Sequence, residues 1–214
     1  MGATNQSSSD MSPLSALQTY ITTNTSSTSP HPAHLQHLTL QICHNLQYQH
    51  NWTSLTIHHY APIESSSTTG KRKRTPLPRP LISGLPPKRL YVHPDEQIAL
   101  LQAAKKTITE TNGKDGEANL LKMVKPDPER EWILPTHLQE KWSLSRFGEV
   151  FDQIGFVPPD GGGENDLDEE IVSDADKARN PWRTKKRVLL ATLDDDSTVM
   201  YYIVHDGIVK PRQN

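Results

Sequence analysis

The spacing of apolar residues along the chain predicts two amphipathic helices, and the placement of charged residues predicts a third. From Ala33 to Gln49, apolar residues recur every three or four positions, as on one face of a helix. A second such stripe follows Ser143, which can cap a helix, and runs to Gly155, which can end one. A third helix is expected over 95–106, because acidic residues fill its first turn and lysines its last.

Short apolar runs predict the strands. One strand is expected from Trp52 to Tyr60, and shorter ones at 90–92 and 132–134, the latter stopped by Pro135. The clearest pattern lies near the C-terminal end, where RVLLATL, the turn DDDS and TVMYYIVHDG predict a β-hairpin. Both faces of its second strand are apolar, which indicates that the domain core covers one face and a partner the other. The alternative is that a second layer of the same domain, such as the first predicted helix, covers that other face.

Three stretches lack this periodicity. Residues 1–30 are rich in Ser, Thr, Asn and Gln and are expected to form a disordered tail. Residues 61–80 combine ESSSTTG, KRKR and TPLPRP, whose prolines argue against a helix or a β-ladder. Residues 157–180 combine PPDGGG with an acidic run. We therefore expect one domain over 31–214 with flexible insertions at about 61–80 and 157–180.

Composition narrows the classes of function. The net charge of -2 argues against an autonomous nucleic-acid binder, although it leaves room for local basic patches. The single cysteine, Cys43, can form no intrachain disulfide or cysteine-based zinc site, which fits a reducing compartment. The N-terminal segment lacks the features of a secretory signal, and no apolar run is long enough to span a membrane. We expect a soluble intracellular protein.

No complete catalytic or metal-binding motif is present in the sequence. His31, His34 and His37 are spaced three apart, but zinc needs further ligands, so surface or partly packed histidines are expected. His58 and His59 are neighbours on a predicted strand and should face opposite sides of the sheet. Phosphate-binding loops and nucleophile elbows are also missing. We expect no cofactor, no metal and no catalytic residue.

Three charged clusters have several readings each. The first could be a nuclear localisation signal, an RNA-phosphate contact or a solvated loop, and it comprises Lys71, Arg72, Lys73 and Arg74. The second could contact RNA or discourage edge-to-edge aggregation, and it comprises Lys185, Lys186 and Arg187. The third fits a solvated turn better than a metal site, and it comprises Asp194, Asp195 and Asp196.

The hairpin and its flanks, KKRVLLATLDDDSTVMYYIVHDGIVKPRQN, resemble the terminal hairpin of proteins of the tRNA-splicing endonuclease family. The DST sequence and the DG-apolar-apolar-x-P ending resemble in particular the smallest structural subunits of the eukaryotic enzyme in their fungal form. Earlier blocks at about 33–60, 80–105 and 130–156 occur in the matching order. The resemblance implies a small α/β domain with a mixed sheet, flanking helices and a closing β-hairpin.

The resemblance also implies a non-catalytic subunit. Catalytic members use a Tyr, a His and a Lys to cleave RNA, with the ribose 2′-hydroxyl as nucleophile. Here Lys186 or Arg187 falls near the position of the family's lysine, but residues 143–187 contain no histidine. His137 precedes the central helix, which is too early for the role. One remaining group cannot serve as both general base and general acid.

Two kinds of subunit contact are implied by the same resemblance. In the family, terminal strands pair between subunits, and here that contact would use Tyr201, Tyr202, Ile203 and Val204. The acidic turn of one subunit also enters a basic pocket of another, and here that turn would be Asp194, Asp195 and Asp196. We expect the two faces of the strand to differ, with Tyr201 on the partner side and Val204 on the core side, or the reverse.

The implied partners are the catalytic and structural subunits of a heterotetrameric endonuclease, with precursor tRNA bound through the complex. A nuclear location is expected, and a cytoplasmic one at the outer mitochondrial surface is the alternative. An active RNA endonuclease with an atypical site, or a free RNA-binding protein, are the alternative functions.

Overall fold

The computed structural model describes residues 13–61, 75–111, 125–159 and 180–207. This part of the chain forms helices and strands in the order α1, α2, β1, β2, α3, β3, α4, β4, β5. The helices are α1 Ala16–Asn24, α2 Ala33–Tyr48, α3 Pro94–Thr111 and α4 Leu144–Asp152. The strands are β1 Thr53–Tyr60, β2 Pro76–Leu85, β3 Glu131–His137, β4 Arg187–Leu193 and β5 Val199–His205. The predicted α/β class with a terminal β-hairpin is confirmed.

The strands form one five-stranded sheet in the order β1-β2-β3-β4-β5. The β3–β4 pair is parallel and the other pairs are antiparallel, so the sheet is mixed. The closing hairpin is regular, since its register runs without a shift from Arg187 opposite His205 to Leu193 opposite Val199. Because β5 pairs only with β4 among the described strands, it forms one edge of the sheet.

Helices cover both faces of this sheet. On one face, α2 contributes Ile42 and Leu46 to a core cluster that also contains Ile133 of β3. On the other face, α4 contributes Phe151 to a second cluster that contains Trp132. Neighbouring residues of β3 thus point into different clusters, as the alternation of side chains along a strand requires. Three layers result, with β3 and β4 buried between the helices.

The predicted helices, β1 and the hairpin are confirmed, but the expectations for the prolines are wrong. β2 begins at Pro76 within the segment expected to be a loop, and β3 continues through Pro135. β3 pairs with β2 only from Ile82 to Gly84, so these prolines lie where one side of the strand has no ladder partner. A missing backbone donor costs little at such positions.

The strand expected at 90–92 is also wrong. The chain there is irregular and leads directly into α3. Tyr91 makes a ring contact instead, since its ring meets the ring of His205 edge-on with centroids 4.9 Å apart. Leu90 is 38% exposed and Tyr91 and Val92 are half-buried, so this apolar run marks neither a ladder nor a fully buried segment.

Part of the expected disordered tail is helical. Ser15 and Gln18 form a capping box at the start of α1. Tyr20 then holds α1 on α2, because its hydroxyl donates to Sγ of Cys43 over 3.5 Å. The disorder expected for residues 1–12, and most of both expected insertions, lie outside the described residues. The proposed boundaries of the domain and its insertions stay predictions.

Candidate assembly interface and charged cluster

The outer edge of β5 offers a row of backbone groups. Asp206 donates its N–H to the carbonyl of Lys186, and Asp194 donates to the carbonyl of Thr198, each over 2.9 Å. Pairs along an antiparallel ladder alternate between bonded and non-bonded, so the even-numbered residues of β5 bond to β4. The odd-numbered ones point their N–H and C=O groups outward, and these are Val199, Tyr201, Ile203 and His205. Such an edge can accept an added strand.

Two apolar side chains of β5 are exposed beside this edge. Tyr202 is 53% exposed and Ile203 is 39% exposed. Val204, in contrast, packs against the core cluster on the α4 side, as expected. Tyr202 and Ile203 lie on opposite faces of the strand, so apolar surface flanks the edge on both sides.

Tyr201 does not lie on an open face of β5, contrary to our placement. Its ring packs against the core cluster on the α2 side, and its hydroxyl donates to Oδ1 of Asn45 over 2.6 Å. Burial raises the pKa of Tyr201 accordingly. Tyr201 therefore lies on a face of β5 that a second layer of the same domain covers, as the alternative states. The covering element is α2, the first helix predicted from the sequence, which the alternative named for this face.

The three aspartates form a structured turn at the hairpin tip. Oδ1 of Asp194 accepts from the N–H of Asp195 over 2.7 Å, and Oδ1 of Asp196 accepts from the N–H of Thr198 over 2.8 Å. This backbone hydrogen bond lowers the pKa of Asp196. No Lys or Arg of the described segments forms an ion pair with the three carboxylates. The tip therefore presents negative charge in a defined geometry.

Asp195 anchors this tip to the segment after β3. Its Oδ2 accepts from Nε2 of Gln139 over 2.8 Å, and its Oδ1 lies 3.1 Å from Nε2 of His137. Since His137 is the last residue of β3 and Gln139 lies two positions further on, the orientation of the hairpin tip is coupled to the parallel β3–β4 pair. His137 thus has a structural contact at the tip.

A buried charged cluster occupies the opposite end of β4. Arg187, the first residue of β4, donates from Nε to Oε2 of Glu131 over 3.0 Å and from Nη2 to Oε2 of Glu129 over 2.8 Å. Arg183 donates to the same two glutamates. Arg89 binds Glu129 and Glu96. Three guanidinium groups and three carboxylates thus balance one another.

The second basic cluster of the sequence is mostly unavailable for RNA. Arg187 is buried, and although burial alone would lower its pKa, the hydrogen bonds and charge of Glu131 raise it. Lys186 donates from Nζ to the carbonyl of Phe151 over 2.7 Å. Only Lys185 of this cluster is exposed. The expectation of an RNA contact at Arg187 is therefore corrected, and residues 71–74 lie outside the described chain.

The histidines of β1 face opposite sides of the sheet, as predicted. Nε2 of His58 lies 2.8 Å from Oγ of Ser83, and its ring packs edge-on against Trp132. The ring of His59 instead lies 5.5 Å from that of His31. Burial lowers the pKa of His58 to about 4. His34 and His37 are exposed, whereas His31 is buried.

Within the described residues, no group of three or more His, Cys, Asp or Glu side chains is arranged to hold a metal ion. None of the helices in these segments is long and apolar enough to cross a membrane. The sequence interpretation missed the charged cluster. The available signal was that Glu131 and Arg187 each stand at the start of a buried strand, where a charge requires a partner.

Comparison with known proteins identifies relatives that share this region. The sequence profile of the Sen15 protein family matches residues 41–214. A Neurospora crassa protein named probable tRNA-splicing endonuclease subunit tsp-1 is 46% identical over 184 residues, which are 85% of this chain and 67% of that protein. A Schizosaccharomyces pombe protein named probable tRNA-splicing endonuclease subunit sen15 is 32% identical over 84 residues, 39% of this chain and 50% of that protein. The profile match includes β5 and the charged cluster.

Proposed function

Because this chain belongs to the Sen15 protein family, we propose that it is a non-catalytic subunit of a tRNA-splicing endonuclease. In this role it is required for assembly of the enzyme that removes introns from precursor tRNA. Its partners are the catalytic and structural subunits of a heterotetramer, and it meets precursor tRNA through that complex. The observation that carries the proposal is the regular, apolar free edge of β5 in a chain whose relatives are named endonuclease subunits.

The charged cluster supports the absence of catalysis. Near the position of the family's lysine, Arg187 is buried and bound by Glu129 and Glu131. A phosphate that bound Arg187 would have to displace these carboxylates and leave them buried without a cation, which costs several kcal/mol. Lys186 is engaged by a backbone carbonyl. A general acid–base pair would also need a second group, and residues 143–187 contain no histidine.

Assembly would use two surfaces of the hairpin. A strand of the catalytic subunit pairs with the outward backbone groups of β5, and the side chains of Tyr202 and Ile203 are buried by the contact. The turn of Asp194, Asp195 and Asp196 docks into a basic pocket of another subunit and orients the encounter. A soluble protein rarely leaves a regular apolar edge uncovered, which supports this division of roles.

Catalysis is tested first on the isolated chain. The purified protein is expected not to cleave intron-containing precursor tRNA. In the assembled enzyme, Lys186→Ala should leave the cleavage rate within a few-fold of normal. Cleavage by the chain alone that Lys186→Ala abolishes would instead support an active endonuclease with an atypical site.

Assembly is tested with a matched pair of tyrosines on the two edge strands. Tyr202 of β5 and Tyr60 of β1 are both exposed. Tyr202→Asp is expected to prevent co-purification with the catalytic subunit, whereas Tyr60→Asp should leave it intact. Circular dichroism establishes that both variants are folded. Equal losses from the two variants, or no loss from either, would remove the β5 edge as the assembly element.

The location in the cell is a separate part of the proposal. The run Lys71, Arg72, Lys73 and Arg74 supports nuclear import, because dense basic runs serve as import signals. Replacement of all four by Ser should shift a fluorescently tagged protein out of the nucleus. An unchanged nuclear signal would show that this run is not required, and a signal at mitochondria in the unaltered protein would favour the cytoplasmic alternative.

A further inference from the structure

A groove of about 320 Å³ opens between α1, α2 and the β4–β5 hairpin. Leu17 of α1 and Val199 of β5 provide apolar walls, and Tyr48 of α2 stands between them. The ring of Tyr48 is 62% exposed. An exposed aromatic ring beside two aliphatic side chains is the kind of surface that binds a ligand with an apolar part.

The groove is held open by contacts between α1 and α2. Tyr20 of α1 meets His44 and Tyr48 edge-on, with ring centroids 5.3 Å and 6.4 Å apart. The rings of His44 and Tyr48 are themselves 4.6 Å apart. Since these rings fix one another, the wall formed by α2 exists before any ligand arrives, and little ordering is needed on binding.

The lining of the groove favours a peptide over nucleic acid. Among the described residues, no Lys, Arg, Asp or Glu lines it, and its polar groups are mainly side-chain amides such as those of Gln41 and Gln49. Binding of an RNA backbone depends on Lys and Arg, which neutralise the phosphates. Side-chain amides both donate and accept hydrogen bonds, as the N–H and C=O groups of a peptide require.

The position of Val199 connects this groove to the free edge of β5. Its side chain lines the groove, and its backbone N–H and C=O point outward along the edge. A strand that pairs with β5 therefore passes the mouth of the groove at Val199. A residue of that strand opposite Val199 lies on the same face of the sheet, within side-chain reach.

We infer that the groove receives an uncharged apolar or aromatic side chain from the peptide segment of the partner subunit that pairs with β5. This inference rests on the proposed function, and it adds a side-chain specificity site to the backbone pairing of β5 and the burial of Tyr202 and Ile203. Backbone pairing is tolerant of sequence, whereas a pocket beside it selects which segment can bind.

Filling the groove tests the inference. Gln41→Trp places an indole in it, and Gln47→Trp makes the same change at an exposed position of α2 that does not line the groove. With the catalytic subunit as the probe, Gln41→Trp is expected to raise the Kd about tenfold or more, and Gln47→Trp less than about twofold. Equal affinities of the two variants would overturn the inference.

Tyr202→Asp separates this outcome from failure of the proposed function. If it abolishes binding while Gln41→Trp has no effect, the edge contact stands and the groove inference is wrong. If neither variant weakens binding, the proposed assembly role fails as well. If Gln41→Trp weakens only binding of precursor tRNA to the assembled enzyme, the groove is an RNA site and the inference is overturned.

Crosslinking gives a measurement that does not depend on the stability of Gln41→Trp. The photoreactive residue p-benzoylphenylalanine is introduced at position 48 or, as the control, at position 47. Position 48 is expected to crosslink to one uncharged segment of the catalytic subunit, identified by mass spectrometry, and position 47 is not. Crosslinks from 48 to RNA alone, or equally from both positions, would contradict the inference.

Discussion

The two edges of the sheet differ in regularity. β1 shifts register against β2 between Thr53 and Thr56 and again between His58 and Tyr60. Ser54 in the same strand has a φ of 49°. β5 keeps one register with β4 over its whole length. Bulges twist an edge away from any incoming strand, so the β1 edge is protected and the β5 edge is a template for pairing.

The irregular β1 edge is poorly suited to pairing with a further strand, whereas the regular β5 edge is well suited to it. β1 carries mainly polar residues, whereas β5 carries exposed Tyr202 and Ile203 beside backbone groups that no described strand pairs. In the described residues, local irregularity thus disfavours strand pairing at the β1 edge, and the β5 edge stays accessible. An exposed regular edge is a hazard for aggregation unless a partner covers it, which is consistent with an obligate subunit.

The largest expected effect concerns Glu131 of β3, the carboxylate that Arg183 and Arg187 share in the buried charged cluster. Glu131→Ala leaves Arg183 and Arg187 buried without this shared carboxylate and should lower the free energy of unfolding by about 3–5 kcal/mol. Urea unfolding followed by circular dichroism measures it. The counterpart on the β1–β2 side is Glu140→Ala, which removes the partner of Arg79.

Glu140 is more exposed than Glu131, so water can replace part of its interaction with Arg79. The loss for Glu140→Ala should therefore be only about 1–3 kcal/mol. A loss from Glu140→Ala as large as that from Glu131→Ala would show that the β4–β5 side has no special dependence on its buried charges.

The next effect is on binding at the free edge. Ile203→Pro removes an N–H that points outward, so the domain should fold while its affinity for the catalytic subunit falls by about 100-fold. Tyr202→Pro removes an N–H that bonds to β4 and should instead destabilise the hairpin. Calorimetric binding and thermal unfolding distinguish the two. Unchanged affinity of folded Ile203→Pro would show that no strand is added at β5.

A smaller effect concerns the pH dependence of the β1 side. Burial lowers the pKa of His58 to about 4, below its value near 6.5 in the unfolded chain. The unfolded state therefore binds more protons between these values, and stability falls as the pH drops from about 6.5 to 4. Allowing for incomplete burial, the loss is roughly 2 kcal/mol. His58→Gln should flatten this part of the profile, and an unchanged slope would assign it to other groups.

The smallest effect concerns the irregularity of β1. The positive φ of Ser54 disfavours a branched side chain, so Ser54→Val should cost about 1–2 kcal/mol, while Ser54→Gly should change stability by about 0.5 kcal/mol or less. Neither variant is expected to alter binding of the catalytic subunit. A Ser54→Val protein of full stability would show that the bulged conformation is not required.

Local signals in the sequence were sufficient for most elements. The apolar stripe of α2, the cap at Ser143 and the alternation in β1 and β5 each depend on neighbours within a few residues. β2 was missed because its prolines are ordinarily incompatible with a ladder, and only the sheet arrangement shows that their positions need no donor.

The features that define the site are non-local and were harder to predict. The bond between Glu131 and Arg187 joins residues 56 positions apart. The packing of Tyr201 on Asn45 joins residues 156 apart. Sequence periodicity indicates whether a side chain is buried or exposed. Which helix or strand packs on a buried side chain depends on the tertiary fold. The resemblance predicts the hairpin as the assembly element without resolving which of its side chains are free.

The contact between Tyr20 and Cys43 makes the chain's single thiol a reporter of its own N-terminal helix. Cys43 is buried, and burial raises the pKa of its thiol, so the reactive thiolate is scarce while α1 is docked. With enough reagent that labelling outpaces reclosing, alkylation proceeds at the rate at which the α1–α2 contact or the whole domain opens. With one thiol per chain, each modification event counts one opening, and the labelling rate in the presence of a partner measures how far assembly slows that motion.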